Sequence, residues 1–261
     1  MQGPPNRSIH AMNWYKFALT KSDEKYTSII DGVIHSVEST FGGNAPDRDY
    51  RVRVPTISDF YINVVHEEDI PQTVGEYDPD DEVIYIQKGI DSDTYYQVLA
   101  HEIAHAIQYH ENPNAGMTGE TEEHVRAWNE WKDQAKKGIE VPEPDLDTGW
   151  LQRAYEDQEI ELHANAMRHI WVIKRDMLGM KRDGRAVDRN MLDKFAKVAY
   201  ITYMQEMTRK NLRMEEDIGD KEIKRLPNIK RKMLVKKYAR RVMAAVTQAG
   251  QEIFGLGGRG S

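Results

Sequence analysis

The chain reads as an α+β protein: an N-terminal helix, a small mixed sheet, a further helix, then a mainly helical C-terminal half. Three observations carry this. Apolar residues recur at three and four over 22–41; three short β-rich runs lie between 50 and 86; beyond 151 the long periodic stretches are all helical.

Taken in order, residues 1–21 lack a clear period, and Gly3, Pro4 and Pro5 suggest a flexible arm. Over 22–41, Tyr26, Ile29, Ile30, Val33, Ile34 and Val37 form the apolar stripe of an amphipathic helix, which Gly42 and Gly43 stop. The runs 50–54, 60–65 and 83–86 combine β-branched and aromatic residues and are bounded by Pro, Asp or Gly, so each is expected as a strand. A turn at 89–93 follows, with Ser92 or Asp93 expected as N-cap of a helix reaching His110. Residues 119–137 read as a helix with Val125, Trp128 and Trp131 on one stripe, and 141–147 as an acidic, proline-broken loop. Helices are then expected over about 151–178, 187–210 and 229–254, before a disordered glycine-rich tail at 255–261. Three regions result: the arm 1–21, a domain over 22–180 with an insert at about 112–150, and a helical, basic region over 181–261.

Composition narrows the chemistry. With no cysteine in 261 residues, disulfides and thiolate ligands are excluded, so a bound metal must be held by histidines and carboxylates. No run is apolar and long enough to cross a bilayer, and the first residues lack the apolar core of a secretory signal, so a cytoplasmic location is expected. The net charge of −7 conceals an asymmetry: residues 209–241 hold 13 Lys or Arg against 5 Asp or Glu. There Lys230, Arg231, Lys232, Lys236, Lys237, Arg240 and Arg241 accompany an apolar stripe of Ile229, Met233, Leu234, Val242 and Val246. The plain reading is an amphipathic helix packed on the body with a solvated basic face. The sharper reading is docking to nucleic acid, to an acidic partner or to the acidic body itself, and no DNA-binding motif supports the first.

The chemistry concentrates in His101-Glu102-Ile103-Ala104-His105. At about 100° per residue, histidines four apart lie about 40° from each other on a helix, so both imidazoles can reach one metal ion. Glu102 then flanks the metal, placed to take a proton from water there. Chance composition yields roughly 0.03 such matches per chain of this kind, and the apolar flanks Val98, Leu99, Ala100, Ala106 and Ile107 make coincidence rarer still. The competing reading is a buried amphipathic helix that happens to carry two histidines.

A peptidase zinc needs a third protein ligand and one open position. His110 lies nine residues after His101, on the opposite helix face by the same geometry, and reads as a residue of the last turn. The stretch Glu161-Leu162-His163-Ala164-Asn165 resembles the second motif of the gluzincins, a Glu ligand with a small residue three later and a polar residue four later. Its Glu-x-x-Ala-Asn form is similar to the ImmA/IrrE-like metallopeptidases and to small phage-encoded zincins. The resemblance covers roughly residues 80–170. It implies Glu161 as third ligand, with Asn165 placed to hold the far nitrogen of a ligand histidine. Glu159 and Asp157 are competing carboxylates, and His163 points away from Glu161. Glu161 lies 56 positions after His105, a long gap for a minimal domain of this kind.

The same resemblance implies a zincin-like fold and one Zn2+ per chain. It also implies an edge strand just before the active helix, here Val83, Ile84, Tyr85 and Ile86, on which a peptide substrate pairs as an added strand. Glu102 is then the general base, with Tyr155 and His169 as candidates for stabilising the oxyanion. The expected function is a zinc-dependent endopeptidase acting on a protein or peptide. The alternative is a zincin-like binding or regulatory module, of a phage or its host, in which zinc is mainly structural.

Overall fold

A computed structural model describes residues 21–55, 57, 60–68, 70, 73–112, 159–217 and 228–256. The order of elements is α1 (Lys21–Phe41), β1 (Tyr50–Arg53), β2 (Tyr61–Glu67), β3 (Gly75–Asp78), β4 (Val83–Gln87), α2 (Ser92–Glu111), α3 (Glu159–Arg182), α4 (Arg189–Asp217) and α5 (Asn228–Phe254). The protein is therefore α+β, with five helices and one mixed four-stranded sheet among the described residues. Residues 1–20 of the expected arm, the helix at 119–137, the acidic loop, Tyr155, Asp157 and the tail 257–261 lie outside them.

Helix α1 forms where the apolar stripe places it. Ile29, Ile30, Val33, Ile34 and Val37 are buried, and Gly42 and Gly43 end the helix in left-handed conformations at φ 65° and 78°. In the sheet, Val52, Ile62, Val64, Tyr77, Ile84 and Ile86 turn inward, while Arg51, Arg53, Asn63, Glu67 and Glu76 face solvent. One face thus packs on the helices and the other stays wet.

The strand order is β1-β2-β4-β3, with β2 and β4 parallel and both outer pairs antiparallel. This corrects one expectation. Val83, Ile84, Tyr85 and Ile86 form an interior strand flanked on both sides, and the edge beyond them is β3, which strand signals in the sequence did not reveal. The reason is β3's composition: Gly75-Glu76-Tyr77-Asp78 offers one aromatic and no β-branched residue. It is held instead by a tight connection to β4, where Asp78 Oδ1 accepts from the amides of Asp80 and Asp81.

The N-cap of α2 falls on Asp91, one residue before the expected caps, Ser92 or Asp93. Asp91 Oδ1 accepts from the Thr94 amide at 3.0 Å, completing an N-cap. From Tyr95 to Gln108 this helix is buried on most of its circumference, with the sheet on one flank and α1 and α3 on others. Helices α3, α4 and α5 continue the same core without a break, from Leu162 and Met167 through Tyr203 to Val242 and Val246. Tyr203 of α4 donates to the Leu162 carbonyl at 2.7 Å, tying α4 to the first turn of α3. Lys232 and Lys236 of α5 are exposed, whereas Lys237 and Arg241 reach acidic partners on the body, Glu159 and Asp23. No helix among the described residues is long and apolar enough to cross a membrane.

Candidate metal centre

Two helices build the centre. His101 and His105, one turn apart on α2, face the first turn of α3, where Glu161 points back at them. The Nε2 atoms of the two histidines are 3.1 Å apart; His105 Nε2 is 2.7 Å from Glu161 Oε1, and His101 Nε2 is 3.5 Å from Glu161 Oε2. One ligand atom from each residue falls within 4.8 Å of the others, the described group of this kind able to hold a metal ion. Zinc bonds of about 2.0–2.1 Å in a tetrahedron separate ligand atoms by roughly 3.3 Å, and the observed distances bracket that value.

The surroundings fit a cation as well. Two imidazole nitrogens facing each other at 3.1 Å repel unless a proton or a metal lies between them. Glu161 Oε1 is buried and has no hydrogen bond of acceptable geometry, although His105 Nε2 lies close. Burial opposes charge on both members of this pair. Even so, His105 and His101 hold the Glu161 carboxyl well below the usual carboxylate range, and Glu161 holds His105 above the ordinary imidazole value. His105 and Glu161 are almost wholly enclosed, while the His101 side chain is 16% exposed, so the centre opens to solvent on the His101 side.

Glu102 is buried between the histidines and the sheet. Burial pushes its carboxyl up, His101 and His105 pull it partly back, and Glu161 and Glu76 push it further up. A dication would add to the pull of the histidines and favour the carboxylate. The strand beside it is β3. A Cβ on Gly75 would stand 2.2 Å from Val98 Cγ1 and 3.7 Å from Glu102 Cγ, so only glycine lets the strand lie this close to α2. Val74 O accepts from Gln87 N at 3.0 Å, which by antiparallel alternation turns the backbone groups of Gly75 and Tyr77 away from β4. The Thr73 hydroxyl meets those of Gly75, donating to its carbonyl at 2.7 Å and accepting from its amide at 3.3 Å.

The remaining expected site residues fall differently. Asn165 is buried one turn after Glu161 and donates to the Glu161 carbonyl at 2.9 Å and, more weakly, to its carboxylate at 3.5 Å. The far nitrogen of His105 is met instead by Gln108, whose Oε1 lies 2.9 Å from Nδ1. His169 is not brought to the triad. Eight residues after Glu161, it lies about 12 Å further along the helix, and its Nε2 donates to Glu206 Oε2 at 2.6 Å. Arg168 joins the same carboxylate, and the two pull Glu206 down to about 2 against the effect of burial. Glu159 turns outward to Lys237 and Tyr238, and His110 stacks on Phe60 with ring centroids 4.2 Å apart. Sequence reasoning also passed over Tyr109, a phenol that burial and the nearby Glu161 charge hold above its ordinary value.

Comparison with protein-family models, curated proteins and solved structures gives no match to this chain.

Proposed function

We propose that the protein is a zinc-dependent endopeptidase of the gluzincin type, with His101, His105 and Glu161 as the ligands and Glu102 as the general base. The observation that carries this is the convergence of the three ligand atoms within 4.8 Å, with a second, non-ligating carboxylate, Glu102, buried beside them. When bound, zinc supplies Lewis acidity, making water more acidic and polarising a carbonyl.

The chain's own residues supply the rest. A closed structural zinc site has no use for Glu102, whereas a hydrolytic site needs a base at that place. Burial raises its carboxyl above the ordinary carboxylate value and so makes it a stronger base, suited to taking a proton from attacking water and delivering it to the leaving amine. The outer side of β3 serves as the edge on which an extended peptide adds, its outward groups at Tyr77 available for pairing and Thr73 yielding those of Gly75. Exposure of His101 sets the side from which the scissile bond approaches.

The test is Glu102→Gln, assayed for bound zinc and for cleavage of an unfolded protein mixture. Retained zinc with turnover lowered by about 10²–10⁴-fold is expected of a general base. Equal turnover in the variant removes that role, and absence of cleavage in both proteins, with zinc bound, favours a structural-zinc binding module.

A further inference from the structure

Buried polar residues are few among the described residues, and all but His66 belong to one connected system. Beyond His105, Glu161, Glu102 and Asn165, they are Gln108 and Asp23. Gln108 is one turn on from His105 and is itself buried. Its amide has a single consistent orientation. The Ile160 carbonyl, 3.1 Å away, is an acceptor only, so it must face the Gln108 NH₂ group; Oε1 is thereby turned to His105 Nδ1. Oε1 cannot donate, so His105 Nδ1 carries the proton and Nε2 keeps its lone pair for the metal.

The chain continues outward with the same logic. Gln108 Nε2 donates to His163 Nδ1 at 2.9 Å, which leaves the His163 proton on Nε2, and Nε2 donates to Asp23 Oδ1 at 3.3 Å. Arg241 Nη1 donates to the same oxygen at 3.4 Å. The His163 ring is fixed by packing as well, edge-on to Tyr26 at 4.8 Å and beside Tyr238 at 5.7 Å. Four helices therefore contribute to the orientation of one imidazole.

We propose that Gln108, His163 and Asp23 are positioning residues for the ligand His105. The hydrogen-bond chain fixes its tautomer and ring angle, making α1 and the basic α5 parts of the metal centre. This rests on the triad being a metal site. Partners one shell beyond the ligands typically change metal affinity by about 10–100-fold, and a link further out is expected to matter less.

The experiment compares zinc affinity, by chelator competition, and the visible spectrum of the cobalt(II)-loaded full chain in wild type, Gln108→Leu, Gln108→Glu and His163→Phe. Gln108→Leu is expected to lower zinc affinity by about 10–100-fold and to shift the cobalt spectrum. Gln108→Glu keeps an acceptor for His105 Nδ1 but sets an oxygen against the Ile160 carbonyl, and is expected to recover part of both. His163→Phe keeps the aromatic packing but ends the chain, and is expected to show a smaller loss with the same sense of spectral change. Thermal unfolding of the metal-free proteins separates folding defects, which leave the spectrum of the loaded fraction unchanged. Wild-type affinity and spectrum in Gln108→Leu and His163→Phe would overturn the positioning role alone. A wild type that binds neither metal would overturn it together with the metal site.

Discussion

His66 shows what a single enclosed residue imposes on the protein. It lies on β2 under the N-terminal turns of α2, stacked on Tyr95 with Nε2 3.2 Å from that hydroxyl, and Nδ1 is 3.5 Å from Asp49 Oδ1 without a hydrogen bond of good geometry. Burial pushes its imidazole below the ordinary value, and Asp49 only partly restores it. A histidine lowered in the folded state binds fewer protons there than in the unfolded chain. Its contribution is complete above about pH 6.5, the unfolded value, and is lost as pH falls through the folded one. His66→Phe is therefore expected to flatten part of the fall in unfolding free energy between pH 7 and 5, read from urea titrations at each pH. An unchanged pH slope would assign that fall to other groups. The two candidate ligand histidines were legible in the sequence because their relation is local, one helical turn inside an apolar run. Gln108 was not, since its meaning comes from Ile160 and His163, more than fifty positions away.

Secondary structure was legible where period alone decides it, as in α1, α2 and the three helices of the C-terminal half. Strand order was not. Nothing in the run at 83–86 distinguishes an interior strand from an edge, because β3 is recruited by its connection to β4 and by contact with α2 rather than by its own propensity. The decisive feature of β3 is an absence, the missing Cβ at Gly75. Gly75→Ala would drive a methyl into Val98 and towards Glu102. A cost of about 1–3 kcal/mol in unfolding free energy is expected from overpacking, and the proposed hydrolysis is expected to fall as well, since the added methyl points towards Glu102. Adding Val98→Ala should return most of the stability. A Gly75→Ala protein as stable as wild type would show that β3 does not lie against the helix.

At the scale of the whole molecule, the centre joins parts of the chain that the sequence keeps far apart. Its histidines come from the helix that follows the sheet, its carboxylate from the helix 56 positions later, and the partners of His105 extend to both α1 and α5. The third candidate ligand was legible only through resemblance to a known motif, since Glu159 two positions away competes for the role and only packing turns it outward. The basic C-terminal helix shows the same limit: its charge was plain and docking on the acidic body was one reading of it, but not that Lys237 and Arg241 are the residues that meet Glu159 and Asp23. A metal held by α2 and α3 stabilises this assembly only when folded, by linkage. The most direct measurement is zinc content by elemental mass spectrometry on wild type and Glu161→Ala purified in parallel without chelator. About one zinc per chain in wild type and little in the variant is the expected result; a wild type without zinc, or a variant that retains it in full, would contradict the assignment of the centre.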